Sequence, residues 1–154
     1  MSLTLKLALS PLLVAQALRT RARVLRLPEA AGPRRGTAGS GSAQLRVLIV
    51  GDSSAVGVGV ATQRDALAGQ LARELATGIG GRVAWQLLAR SGITTAQALA
   101  MLAAESPVPA DVAIVVTGVN DVVDQVPSQR ATRSREQLAN TLRKPYEMIF
   151  AEFE

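Results

Sequence analysis

The chain has 154 residues, 48% of them hydrophobic and 19% charged, which is enough for one domain with its own core and unlike a disordered segment. It has no cysteine, so disulfides and thiol catalysis are excluded. The net charge of +5 sits at one end, because residues 1–36 hold seven basic side chains against Glu29 and the remainder ten basic against eleven acidic. The body of the chain therefore offers no basic face for nucleic acid, and basic residues interleaved with aromatics are missing too.

Residues 1–26 are expected to form a basic amphipathic helix, with leucines on one side and Arg19, Arg23 and Arg26 on the other. Two other uses of this segment stay open: a signal peptide, for the small residues at Ala15 and Ala17, and contact with an anionic membrane surface. The localisation stays open with them, between cytoplasmic, membrane-associated and exported. The apolar run is broken by Pro11 and is shorter than the roughly 20 residues a spanning helix needs. Residues 27–43, LPEAAGPRRGTAGSGSA, are rich in proline, glycine and serine without periodicity and read as a flexible linker. The main domain is expected over 44–144.

Leu45 to Val50 is a short apolar, β-branched run, too short for a helix and read as a buried parallel strand. It runs into Gly51, Asp52, Ser53 and Ser54, which delivers hydroxyls and a carboxylate just past the strand's carboxyl end, where open α/β sheets bind ligands. A helix is expected over 65–75, with Leu67, Leu71 and Leu75 as its buried stripe, ending in the glycines at 78, 80 and 81. Val83, Trp85 and Leu87 alternate with Ala84, Gln86 and Leu88 in a second strand, where Trp85 packs on the sheet. Thr94 or Thr95 caps a helix reaching Ala104, and Asp111 to Thr117 is a third buried strand. Ser134 to Leu142 is expected to be a last helix, with Ser134 and Gln137 spaced for a capping box. The tail, 145–154, is atypical in holding Tyr146, Phe150 and Phe153, three of the four aromatics in the chain, and reads as a foreign ending on a truncated domain.

Strands alternating with helices signal a doubly wound sheet. Three blocks then fall after the three strands: GDSS, ARSGITT from Ala89 to Thr95, and GVND from Gly118 to Asp121. Any one of them alone is ordinary turn or cap chemistry. Together and in this order they resemble the SGNH, or GDSL-type, hydrolases. The resemblance implies a flavodoxin-like doubly wound parallel sheet with the Leu45 strand in the centre, incomplete at its carboxyl end. It also implies that Ser53 is the nucleophile of an ester hydrolase, with its own N–H, that of Gly92 and the Asn120 side chain forming the oxyanion hole. Glycine at 92 leaves its N–H open to a substrate, and the Asn120 amide is a donor. Asp52 is expected to brace the turn, since it adjoins Ser53 and is a weak base near neutral pH.

The family's aspartate and histidine, which supply the base, have no counterpart, because the chain has no histidine. Without a base a serine hydroxyl is a poor nucleophile, so the chain by itself is expected to be impaired. Its third strand is expected to be left as an open apolar edge. The substrate class implied is a small-molecule ester, with no cofactor; no histidine or cysteine cluster points to a metal. A non-catalytic binding or scaffold module on the same fold is the rival reading. Nucleotide binding through Gly57 and Gly59 is weaker, since the third glycine of the dinucleotide fingerprint and a Walker-type lysine are both missing.

Overall fold

The computed structural model describes residues 27–42, 44–143 and the backbone of 147–150, together with four helical positions in the leading segment, Leu12, Ala15, Gln16 and Arg19. The expected helix over 1–26 otherwise lies outside the described residues, as do Tyr146 and Phe153 of the tail. No helix among the described residues is long and apolar enough to cross a membrane.

Five strands form one sheet: β1 (Arg35–Ala38), β2 (Gln44–Gly51), β3 (Arg82–Ala89), β4 (Val112–Val116) and β5 (Glu147–Phe150), in the spatial order β1-β3-β2-β4-β5. From β3 to β5 the sheet is parallel, with β2 between β3 and β4 as the family resemblance implies, whereas β1 runs antiparallel to β3. Central position explains the unbroken apolar run of β2: a strand covered by helices on both faces needs apolar side chains at every step rather than at alternate ones. Leu48, Ile49 and Val50 are all fully buried.

Helices lie on both faces, which makes the sheet doubly wound. On one face α1 (Ser53–Val56) and α2 (Leu67–Ile79) close over Val47, Ile49, Val83, Trp85 and Leu87. On the other, α3 (Thr95–Glu105) and α5 (Ser128–Arg143) cover Leu48, Val50, Leu88, Ala113 and Val115. The short α4 (Val119–Val123) follows β4. In α5 the buried face is Ser134, Leu138 and Leu142 in an otherwise polar helix, so those two leucines, each worth about 1.5–3 kcal/mol on burial, hold it to the sheet.

Four expectations are corrected. The 27–43 linker is not free: Arg35–Ala38 is the edge strand β1, paired with Val83–Gln86, and the Trp85 indole packs against Gly36. A four-residue strand in a glycine-rich run carries no alternation of its own and is specified by its partner. The buried stripe of α2 is not leucine but Ala68, Ala72 and Ala76, beside Gly69. These small residues let the helix lie close to the sheet, with Leu71 and Leu75 half-buried at its flank and Leu67 37% exposed. The last helix begins at Ser128, right after Pro127, whose carbonyl accepts from the N–H groups of Arg130 and Ala131 at 2.8 and 3.0 Å. Ser134 and Gln137 are therefore interior to it and form no capping box. Finally, β4 is not an open edge, because Glu147–Phe150 of the tail pairs with Val112–Val115 as a further parallel strand.

Candidate active site

All three sequence blocks lie at one rim of the sheet, since β3, β2 and β4 are parallel neighbours and each block follows its strand directly. The strand ends are tied together beyond the ladder: the Asp52 N–H donates to the Val116 carbonyl at 3.0 Å and the Arg90 N–H to the Gly51 carbonyl at 3.2 Å. Gly51 makes the turn possible by close approach. A Cβ there would stand 2.5 Å from the Ala55 Cβ and 2.7 Å from the Val116 carbonyl oxygen, distances no side chain tolerates.

Ser53 is the first residue of α1 and is half-buried, with Ser54 exposed beside it. Asp52 caps this turn, its Oδ1 accepting from the Ser54 N–H at 3.1 Å. Its Oδ2 faces the Asn120 Nδ2 at 3.4 Å. Both carboxylate oxygens are thus turned to neighbours other than the Ser53 hydroxyl, the bracing role expected from the sequence. Burial pushes the Asp52 carboxyl above the ordinary carboxylate range, against the pull of the Ser54 N–H, and the nearby Asp121 charge pushes the same way.

Asn120 sits in α4 with its amide between the other two blocks: Nδ2 also donates to the Ile93 carbonyl at 2.9 Å, next to Gly92. The structure therefore brings Asn120 together with the serine turn through Asp52 and with the glycine turn through Ile93. Gly92 itself has φ +78°, a conformation that L side chains rarely adopt, and nothing within 4 Å of where its Cβ would stand. Its turn is held open toward solvent rather than packed.

Beneath these groups lies a second layer that sequence reasoning missed. Asp121, 3% exposed, does not serve its own helix α4; its carboxylate accepts from the Thr95 N–H at 3.0 Å and the Thr95 hydroxyl at 2.6 Å. The Thr95 hydroxyl also meets that of Thr117 at 3.1 Å. The twin threonines divide the work, since Thr94 makes the capping box of α3 with Gln97 while Thr95 anchors the third block to the second. Two consecutive cap-competent residues were the only sequence signal for this pair.

A family model described as GDSL-like lipase/acylhydrolase matches residues 49–149. Among solved structures, the chain is similar to AlinE4, described as an SGNH-hydrolase family esterase, with a TM-score of 0.59 at 22% identity over 72% of this chain and 60% of that one. It is also similar to the psychrotrophic esterase EstA from Pseudoalteromonas sp., with a TM-score of 0.53 at 20% identity over 70% and 59% of the two chains. A carbohydrate acetylesterase family member from Sinorhizobium meliloti matches with a TM-score of 0.52 at 20% identity over 69% and 61%. At these identities the likeness is one of fold, and the chain spans about 60% of the length of these structures. No curated protein matches the chain.

Proposed function

Because the chain belongs to the GDSL-like lipase/acylhydrolase family, we propose that it carries the nucleophile and oxyanion half of an SGNH-type serine esterase acting on small-molecule carboxylic esters. In this reading Ser53 attacks the ester carbonyl, the alcohol leaves, and an acyl-enzyme forms on its oxygen. The carbonyl oxygen, negative in the tetrahedral intermediate, receives hydrogen bonds from the N–H groups of Ser53 and Gly92 and from the Asn120 amide. The observation that carries the reading is the position of Asn120 Nδ2, which is 3.4 Å from Asp52 in the serine turn and 2.9 Å from the Ile93 carbonyl in the glycine turn. Both Nδ2 protons have partners in the free chain, and in this reading the one on the long 3.4 Å contact to Asp52 turns to the oxyanion while the Ile93 bond keeps the amide in place.

The proton on Ser53 is the weak point, since the 154 residues include no histidine and Asp52 is turned to Ser54 and Asn120. Turnover by the chain alone is accordingly low in this reading. The same observation favours a second reading, a non-catalytic binding module that keeps the pocket without the base.

Hydrolysis of p-nitrophenyl acetate and labelling by a serine-directed fluorophosphonate, each compared with Ser53→Ala, test the proposal. Slow labelling confined to Ser53, and ester cleavage lost in Ser53→Ala, are the expected results. Identical behaviour of the two proteins would leave only the binding module.

A further inference from the structure

The segment that precedes the first parallel strand lies outside the region the family model matches, yet it touches the glycine turn of the candidate site and the loop that follows α1. Glu29 Oε1 accepts from the Ser91 N–H at 2.8 Å, the amide next to Gly92, and its Oε2 accepts from the Arg34 Nη2 at 2.6 Å. Arg34 in turn donates through Nη1 to the Ala89 carbonyl at the end of β3. A closed ring of side chain and main chain thus surrounds the entry to the glycine turn.

The same segment is fastened to the loop that follows Ser53. The Gly59 N–H donates to the Pro28 carbonyl at 3.0 Å, the Ala31 N–H to the Ala61 carbonyl at 3.1 Å, and the Gln63 N–H to the Ala31 carbonyl at 2.8 Å. From below, the buried Gln63 side chain donates to the Ala30 carbonyl at 3.1 Å and to the Val56 carbonyl at the end of α1 at 2.9 Å. Pro28 to Arg34 therefore spans from the serine loop to the glycine turn, with β1 anchoring its far end on β3.

We propose that this segment is a brace and that Glu29 is a positioning residue, fixing the Ser91–Gly92 turn against the serine loop so that the Gly92 N–H is presented to the oxyanion. The proposal rests on the esterase reading for the role of Gly92. Ile93, just after Gly92, is buried and fixes that side of the turn, but at Gly92 itself the φ of +78° and the open space around it leave the Ser91 side without packing to hold it. The restraint comes instead from an acceptor on the neighbouring N–H. Charge assistance suits the task, since a carboxylate accepts more strongly than an amide and Arg34 holds it in line.

The test uses the full chain and the variants Glu29→Ala, Glu29→Gln and Arg34→Ala. Amide hydrogen exchange at Ser91, the N–H that Glu29 holds, is expected to rise about tenfold or more in Glu29→Ala and less in Arg34→Ala. Glu29→Gln, which retains an acceptor, restores most of the protection, and Leu48 and Ile49 in β2 exchange as in the wild type. In parallel, fluorophosphonate labelling of Ser53 should slow about tenfold in Glu29→Ala at unchanged reagent affinity and recover in Glu29→Gln, a fraction of the 10²–10³ that a lost oxyanion donor costs. Unchanged exchange at Ser91 in Glu29→Ala overturns the brace, and loosened exchange with undiminished labelling of Ser53 overturns the positioning role. Absence of any labelling in the wild type counts against the esterase reading alone, because exchange still decides whether Glu29 holds the turn.

Discussion

The carboxylate of Asp121 accepts two hydrogen bonds from Thr95, from its N–H at 3.0 Å and from its hydroxyl at 2.6 Å, across 26 positions in the chain. Both residues are buried, so each bond replaces water that neither group can recover. Asp121 follows Asn120 directly, and Thr95 lies three residues past Gly92. Together with the Asn120 bond to the Ile93 carbonyl, this pair sets the distance between the second and third blocks. Asp121→Ala leaves the buried Thr95 N–H without an acceptor and the Thr95 hydroxyl with Thr117 alone, and is expected to cost about 2–3 kcal/mol by urea denaturation. Asp121→Asn keeps one acceptor and is expected to cost about 1 kcal/mol. Equal stabilities of the two variants would show that the Thr95 bonds carry none of the difference.

That pair also marks the limit of what the sequence reveals. The strands β2 and β4 were legible because a buried parallel strand writes itself as a continuous apolar run ending in turn residues, and β3 was legible from the alternation of Val83, Trp85 and Leu87 with their neighbours. The edge strand β1 was not, since Gly36 and Thr37 have no pattern and gain their place only from Trp85 and its neighbours on β3. The alanine face of α2 was hidden behind the more conspicuous leucines, because close helix–sheet packing rewards small volume over hydrophobicity. Within the site, the expected brace at Asp52 is present. Glu29, by contrast, meets its partner Ser91 from 62 positions away, a separation at which no local motif can announce the contact.

Two glycines of the site should fail differently when given a side chain. At Gly51 a Cβ would stand 2.5 Å from the Ala55 Cβ and 2.7 Å from the Val116 carbonyl oxygen. Gly51→Ala must therefore separate α1 from β4, at a cost of about 3 kcal/mol or more as an overpacked core. At Gly92 the space is open and only φ +78° opposes substitution, so Gly92→Ala should cost about 1–2 kcal/mol. Thermal unfolding should rank Gly51→Ala well below Gly92→Ala. In the esterase reading, Ser53 labelling falls in Gly92→Ala although the fold is kept. The reverse order of melting temperatures would contradict the packing described at the serine turn.

Two aspartates should give stability opposite dependences on pH. Burial raises the Asp52 carboxyl above its unfolded value. The folded state then binds the proton more tightly, and ionisation of Asp52 costs stability at neutral pH. As pH falls through the raised folded value this cost is relieved, so wild type should gain on Asp52→Asn from pH 7 toward pH 4. The Asp111 carboxyl is held below its ordinary range by hydrogen bonds from the Arg46 side chain and N–H, at 2.6 to 3.1 Å. Its contribution is present above the unfolded value and is lost as pH falls through the depressed folded one, so wild type should lose on Asp111→Asn in the acid range. Urea midpoints of the three proteins across pH 3–7 check both signs, and parallel profiles would refute the assignment.

In the esterase reading the Ser53 hydroxyl is without a base, and a base supplied from solution should restore the chemistry. Oxyanion donors and binding alone retain about 10³–10⁴ over water when a triad member is removed, so the remaining deficit is proton removal from the Ser53 hydroxyl. Imidazole is small, titrates near neutral pH, and can approach the half-exposed Ser53 from the rim where the three strands end. Added imidazole also cleaves activated esters directly, so the meaningful quantity is the difference between wild type and Ser53→Ala at each concentration. That difference is expected to grow with imidazole and to follow the neutral form, rising through about pH 7. If Asn120 donates to the oxyanion as that reading has it, the increment in Asn120→Ala should shrink about a hundredfold. A difference that stays at zero would assign the rate to solution imidazole and remove Ser53 from the chemistry; a difference that grows and is undiminished in Asn120→Ala would keep the nucleophile and move the oxyanion site elsewhere.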